Sequence, residues 1–404
     1  MSDGGRATGI SMSDSVNNSG VSMTEGVKET RESVSDGART TRVIISGGGT
    51  GGHLFPAIAI ANALRRLESG VKILFVGAQG RMEMQKVPEA GYEITGLPVA
   101  GLVRGGSIRN IQVAWKLFRS MLKAGRIIRK FRPDVVVGVG GYASGPVLKQ
   151  AQQRRIPTLI QEQNSYAGVT NKLLARKAER ICVAYEGMEK YFPKDKIMLT
   201  GNPVRQAYDN LESLRPEALA HFKMESGRPV ILVLGGSLGA GTVNTSIGGA
   251  ISTIEASGVQ MIWQTGSHWY DRMREAVEEQ SARSIMMTGF INRMDLAYAA
   301  ADVIISRAGA GTISELALVG KPVILVPSPN VAEDHQTHNA MALVNRGAAL
   351  LVKDADAQGE LIGTVLELIK DDTQRASLSE NIKKLAIRNS DEVIAREVLK
   401  LAMR

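Results

Sequence analysis

Cysteine is nearly missing from this chain. Cys182 is the one cysteine among 404 residues, which excludes an intramolecular disulfide and leaves no thiolate pair for a metal. It lies in the apolar run Ile181-Cys182-Val183-Ala184 and reads as an inert core thiol. No run of about eighteen apolar residues occurs, so no helix is expected to span a bilayer. Aromatic residues are only 4% of the chain. Base-stacking platforms would be scarce, and no nucleic-acid partner is expected. Residues 1–41 have neither the basic start nor the apolar core of a signal peptide. Rich in Ser, Gly, Asp, Asn and Thr, they are expected to form a disordered tail.

Acidic residues are missing from one long stretch. Between Gly101 and Arg132 stand nine basic residues and no Asp or Glu, while the whole chain has a net charge of +9. The positive excess is therefore a local patch. Within it Ile108, Ile111, Trp115, Phe118 and Leu122 recur at helical spacing beside Lys116, Arg119 and Lys123. Such a stripe suits an anionic membrane surface. A core-facing helix with a solvated basic side gives the same pattern, and pattern alone favours it.

From Arg42 onward, short β-rich runs alternate with helical patterns. Strands are expected at 43–46, 72–76, 93–97, 135–139, 157–161, 180–184 and 196–200, then at 230–234, 260–264, 284–289, 302–306, 323–327 and 348–352. Continuous apolar runs between helices indicate parallel sheets covered on both faces. The first helix aligns Ala57, Ile60, Ala61, Leu64 and Leu67; a later one aligns Val243, Ile247, Ala250, Ile251 and Ile254. The fold class is α/β, with doubly wound, Rossmann-like domains at 42–203 and 204–384. A turn at Gly201-Asn202-Pro203 marks the boundary, and the amphipathic segment 385–404 is expected to return and brace the first domain.

Glycine turns follow several strands. Val43-Ile44-Ile45 leads to Gly47-Gly48-Gly49-Thr50-Gly51-Gly52-His53, and the run 230–234 leads to Gly235-Gly236-Ser237-Leu238-Gly239-Ala240-Gly241. Each is a strand, a turn and a helix start, a geometry that offers backbone N–H groups to a phosphate. The first turn lacks the lysine and hydroxyl of an ATPase loop. No acid is evident near the end of the second strand, where a dinucleotide's ribose would bind. His53 can act as a general base near neutral pH; a histidine that only hydrogen-bonds its loop is an equal alternative.

Further turns carry polar side chains. Thr312-Ile313-Ser314-Glu315 fits a capping box, which the local pattern favours over a carboxylate that binds ribose hydroxyls. His335 and His338 have metal-compatible spacing but no third ligand, and no metal is expected. Gln336 and Asn339 suit sugar hydroxyls. Asp354-Ala355-Asp356 stands where the next helix needs a cap. The turns 138–146 and Gln161-Glu162-Gln163-Asn164 also end strands.

Together, GGGTGGHLFPAIAIA at 47–61, GVGGYASGP at 138–146, EQNSYAGVTNK at 162–172, GNPVR at 201–205, GGSLGA at 235–240 and SRAGAGTISELALVGKPVILVPSP at 306–329 carry a resemblance. In this order they resemble the bacterial N-acetylglucosaminyltransferases that convert lipid I to lipid II in peptidoglycan synthesis. The resemblance runs from about Arg42 to the C-terminus. It implies GT-B architecture and inverting transfer of GlcNAc from UDP-GlcNAc to the 4-hydroxyl of MurNAc in undecaprenyl-pyrophosphoryl-MurNAc-pentapeptide, with no cofactor.

On matching residues it implies His53 as the base, with Thr50, Gly51 and Gly52 facing the diphosphate and acceptor. Asn164 and Gln336 would meet GlcNAc, Arg205 and Ile291 the uracil, and Ser237 a phosphate. Ala310, Gly311, Thr312, Ile313, Ser314 and Glu315 would surround sugar and ribose, with Glu315 on the ribose hydroxyls. The resemblance also implies docking on the cytoplasmic face of the anionic inner membrane through 101–132, reversing the preference from pattern alone. A UDP-GlcNAc 2-epimerase and a non-catalytic UDP-sugar-binding membrane scaffold are the alternatives.

Overall fold

The computed structural model describes residues 40–99, 108–204, 208, 210–236 and 239–404, with backbone alone from 108 to 114 and at 332. Expectations for residues 1–39, Arg205 and Ser237, and for the side chains of Ile108 and Ile111, lie outside the described residues. Among those described, thirteen strands form two wholly parallel sheets.

The first sheet contains β1 (Arg42–Ser46), β2 (Lys72–Ala78), β3 (Glu93–Leu97), β4 (Val135–Gly138), β5 (Thr158–Glu162), β6 (Arg180–Val183) and β7 (Ile197–Leu199). Its order is β3-β2-β1-β4-β5-β6-β7. The second contains β8 (Val230–Leu234), β9 (Gln260–Gln264), β10 (Ile285–Thr288), β11 (Val303–Ser306), β12 (Val323–Leu325) and β13 (Leu350–Leu351), in the order β10-β9-β8-β11-β12-β13. Val43, Ile44, Ile45, Val230, Ile231, Leu232 and Val233 are fully buried, as expected of strands covered on both faces. Each order reverses direction beside β1 or β8, the position where doubly wound sheets open a ligand crevice. Both long glycine turns leave from these two strands.

Helices follow the strands in turn. The first half has α1 (Gly51–Leu67), α2 (Glu83–Glu89), α3 (Ile108–Phe131), α4 (Ser144–Gln153) and α5 (Val169–Leu174). The second has α6 (Leu211–Phe222), α7 (Gly241–Gly248), α8 (Ile251–Ala256), α9 (Tyr270–Glu279), α10 (Met294–Ala300), α11 (Ala310–Val319), α12 (His335–Val344), α13 (Ala357–Lys370) and α14 (Asp372–Lys383). The apolar stripe from Val243 to Ile254 is divided between α7 and α8. Glycines at 248 and 249 weaken the helix there.

The last helix, α15 (Ser390–Ala402), belongs spatially to the first half. Its Ile394, Ala395, Val398 and Leu401 enter the core that holds Val43, Ile45, Leu54, Ile60 and Cys182. Arg180 pairs with Glu397 at 2.8 Å and Arg66 with Asp391 at 2.6 Å. Burial pushes the Cys182 thiol up to about 12, which suits an unreactive core position. Gly201 adopts φ +74° where the chain passes between the halves, and an added Cβ would stand 2.7 Å from Ile387 Cβ. The crossing therefore depends on close approach to the segment that leads into α15.

Ile394 is fully buried in this shared core. Ile394→Ala should destabilise the protein by roughly 2–5 kcal/mol, read from the midpoint of urea unfolding.

Candidate active site

The turn after β1 is held from below by an acid. Glu83, at the start of α2, is buried. Its Oε1 accepts from Ala78 N at 2.9 Å, and both carboxylate oxygens lie 3.1 Å from Gly49 N. An acid therefore does reach the end of the second strand, contrary to the sequence reading; it arrives from the next helix. Gly48 has φ +135°, and a Cβ there would lie 2.3 Å from Glu83 Oε1. The turn after β4 closes on the same loop, because a Cβ on Gly141 would stand 2.2 Å from Gly48 O. No side chain larger than hydrogen fits at this junction.

His53 sits in the first turn of α1, partly buried. Its Nδ1 lies 3.0 Å from Thr50 Oγ1. If Nδ1 carries the proton and donates to Thr50, Nε2 has a free lone pair and can accept a proton. Gly140 makes room beside that atom: a Cβ there would be 2.8 Å from Nε2. Burial first, then the neighbouring His335, bring the imidazole down to about 4, while Glu83 acts in the opposite sense. Above that pH the ring is neutral, the state a general base requires.

The turn after β5 joins the two sheets. Glu162 is buried and organises it, accepting from Asn164 N (3.1 Å), Gly168 N (3.0 Å) and Asn171 Nδ2 (2.9 Å). Burial raises its carboxyl above the usual range despite these bonds. Asn164 Oδ1 accepts from Asn339 Nδ2 of α12 at 3.1 Å. Asn339 Oδ1 accepts from Ser165 N at 3.0 Å and Ser165 Oγ at 3.2 Å. Its Nδ2 also donates to Ala308 O at 3.3 Å. Asn339, expected at a sugar, thus spends its amide between the halves. Asn202 makes a second bridge, from Gln163 O (3.0 Å) to Ser314 Oγ (3.0 Å) on α11.

In the second half, Gly236 (φ +73°) and Gly239 (φ +86°) shape the turn after β8, and no side chain caps α7. Ser237 and Leu238 lie outside the described residues. Helix α11 begins at Ala310, also without a side-chain cap. Glu315 therefore sits in the second turn, too far along for the expected capping box with Thr312. Its carboxylate instead accepts from Tyr208 OH and, at 3.4 Å, from Tyr298 OH. Gly311 faces open space, whereas the Ile313 side chain is buried in the core. Ile291 is also buried.

Gln336 Oε1 accepts from Ala308 N (3.2 Å) and Ser328 N (2.9 Å), tying the turns after β11 and β12 together. Its amide nitrogen is the end suited to a ligand. His338 stacks on Tyr166, with ring centroids 5.0 Å apart, while His335 affects the potential at His53. The two histidines thus have different neighbours. Asp354 pairs with Arg307 and accepts from Thr242 Oγ1 at 2.8 Å, so it ties turns together instead of capping α13.

Helix α3 overturns the core-facing reading of its stripe. Among its described side chains Ser120, Ala124 and Ile128 are buried, as is Gly125. Trp115 is 61% exposed and Phe118 53%, with their rings stacked at 5.7 Å. Leu117 and Leu122 are exposed as well. Lys116 and Arg119 flank them in solvent, but Lys123 turns back and donates to Gly96 O at 2.7 Å. Among the described residues, no helix is long and apolar enough to cross a membrane.

Sequence reasoning missed Glu83, Asn202, Tyr208 and Tyr298. Glu83 looks like an ordinary first-turn acid, and only the closed turns reveal its role. Asn202 had a signal in the Gly201-Asn202-Pro203 turn, which was read as a boundary rather than a contact.

Residues 43–183 match the glycosyltransferase family 28 N-terminal domain, and residues 230–395 match its C-terminal domain. A relative from Bacteroides thetaiotaomicron, named UDP-N-acetylglucosamine–N-acetylmuramyl-(pentapeptide) pyrophosphoryl-undecaprenol N-acetylglucosamine transferase, is 58% identical over 361 residues. The match covers 88% of this chain and 96% of that protein. The crystal structure of Acinetobacter baumannii MurG superposes with a TM-score of 0.75 at 27% identity, covering 89% of this chain and 99% of that one. A UDP-GlcNAc 2-epimerase from Neisseria meningitidis, bound to UDP-GlcNAc, shares the fold at TM-score 0.62 and 15% identity over 90% of this chain and all of that one.

The histidine titration gives a direct check. A folded-state value near 4, against 6.5 for an unperturbed ring, means that the unfolded chain takes up the proton first as pH falls. His53 should therefore withdraw stability progressively from about pH 6.5 to pH 4, and His53→Ala should flatten that part of the stability–pH curve. Urea midpoints at several pH values, beside a ¹³C-histidine NMR titration, read both effects.

Proposed function

Because the chain belongs to glycosyltransferase family 28, we propose that it transfers GlcNAc from UDP-GlcNAc to the MurNAc 4-hydroxyl of lipid I, giving lipid II. The observation that carries this reading is the likeness to the B. thetaiotaomicron transferase over nearly all of that protein's length. In this reading His53 Nε2 takes the proton of the acceptor hydroxyl. The oxygen attacks C1 of GlcNAc from the face opposite UDP, a new C–O bond forms, and the bond to the β-phosphate oxygen breaks. UDP leaves with the electron pair, and the configuration inverts. Thr50 holds the imidazole by its Nδ1 side, supported by the 3.0 Å contact.

The uncapped starts of α7 and α11 suit the growing charge of the departing diphosphate. Ser237 meets a phosphate, Arg205 and the backbone of Ile291 the uracil, and Glu315 the ribose. Ribose hydroxyls must share the carboxylate with Tyr208 and Tyr298. Asn164 and the amide nitrogen of Gln336 meet the sugar, and Asn164 does so by exchanging its bond with Asn339. An anionic diphosphate near His53 favours the protonated ring, so the base is stronger in the loaded enzyme than in the free one.

The enzyme works on the cytoplasmic face of the inner membrane, held by α3. Support comes from the exposed Trp115 and Phe118 with Lys116 and Arg119 beside them.

Labelled UDP-GlcNAc and a short-chain lipid I analogue should yield label in a disaccharide-lipid. Formation of UDP-ManNAc would instead establish the epimerase, and tight UDP binding without turnover the scaffold. His53→Ala should lower turnover by about 10²–10⁴-fold while leaving UDP affinity unchanged. Equal turnover would remove His53 as the base.

The quadruple change Trp115→Ser, Lys116→Gln, Phe118→Ser and Arg119→Gln should weaken binding to phosphatidylglycerol vesicles at low salt by at least about tenfold. Turnover on a soluble acceptor should be unaffected. Unchanged vesicle binding would remove α3 as the anchor.

A further inference from the structure

The reaction described above uses no group beneath the first glycine turn, yet a buried carboxylate stands there. Glu83 has no cationic partner among the described residues. Its oxygens are satisfied by backbone N–H groups, from Ala78 at the end of β2 and Gly49 in the turn. A buried carboxylate is costly unless such bonds replace its hydration. The chain has moreover left the space for it open: Gly77 and Gly48 both lack a side chain where a Cβ would strike the Glu83 side chain, at 2.6 and 2.3 Å.

The connection to the base is short. Gly49 is followed by Thr50, whose hydroxyl meets His53 Nδ1 and whose carbonyl accepts from His53 N at 3.2 Å. A change at Glu83 is therefore passed through one clamped N–H to the residue that orients the imidazole. The carboxylate also occupies the Gly49 N–H that a phosphate would need. This turn is filled from inside by the protein's own anion, unlike an open phosphate cradle.

We propose that Glu83 is a positioning residue for glycosyl transfer: it clamps the turn that aims His53, and its fixed negative charge stabilises the imidazolium formed when His53 takes the acceptor proton. The inference rests on His53 being the base. Around that ring, Glu83 on α2 supplies negative charge and His335 on α12 opposes it. The adjoining turn 140–141 contributes glycine alone. When His53 gains a proton, the net field decides how readily it does so, and Glu83 is the favourable part.

Glu83→Gln removes the charge and keeps the size and an oxygen for Ala78 N and Gly49 N. In the full-length enzyme its kcat should fall about tenfold or more, with the KM for UDP-GlcNAc unchanged. The acid limb of kcat should move to lower pH, as should the ¹³C-histidine titration of His53 in the UDP-saturated protein. Glu83→Asp retains the charge with a shorter reach; it should lose rate but keep the native acid limb, which also serves if the glutamine variant does not fold. A native titration and acid limb in Glu83→Gln, or a shifted limb in Glu83→Asp, would overturn the proposal. A loss of melting temperature with no pH shift would leave only a structural role and likewise overturn it. Full turnover by His53→Ala is a separate result and would instead remove the base assignment on which the inference rests.

Discussion

Backbone-to-backbone contact between two glycine turns is the constraint on which the rest of the cleft depends. The turns after β1 and β4 meet at Gly48 and Gly141, where no Cβ can be admitted. The parallel register makes the meeting possible, since Ser46 is paired with Gly138 at the ends of the two strands. With the turns closed, the start of α1 is fixed, and with it the direction of His53. Gly140 then clears the far side of the imidazole. A ring held by one hydrogen bond and one close contact keeps its orientation with few rotamers left to lose, and that is the condition for efficient proton transfer.

The two halves are tied by amides more than by charge. Asn339 and Asn202 each make hydrogen bonds on both sides of the cleft while almost fully buried. Buried amides tolerate little misalignment, because each unmade bond costs the desolvation of its group. The junction therefore has a defined closed arrangement. Asn164 takes part in it and is also the side chain proposed to meet the sugar. In that proposal, occupation of the sugar position and closure of the halves would draw on the same amide, and substrate entry would act on the junction directly.

Much of the fold was legible because its signals are repeated. Each expected strand has a counterpart in one of the two sheets, since an apolar run buried on both faces leaves a strong pattern. The end of α7 was less legible: a continuous apolar stripe outweighed the glycines that divide it. At the site, turns could be read from glycine, but partners could not. Glu315 matched the sequence spacing of a capping box, yet α11 starts earlier and the carboxylate goes to two tyrosines from other elements. Glu83 and Asn202 make contacts across more than one turn, and local spacing carries no record of such partners. The stripe on α3 was ambiguous for a simpler reason. Periodicity tells which residues share a face but not whether that face meets protein or solvent.

The return of α15 to the first half has a consequence for biosynthesis. The core around Val43 and Ile45 also contains Ile394, Val398 and Leu401. Domains usually fold in order as a chain emerges from the ribosome. Here the first sheet is made early but lacks one wall of its core until residues near 401 have been translated. Arg180 waits equally long for Glu397. A nascent chain cut short before α15 would keep both glycine turns and His53, but on a scaffold with exposed apolar surface, a natural substrate for chaperones and proteases. Translation of α15 is thus built into the folding of the half that would hold the acceptor.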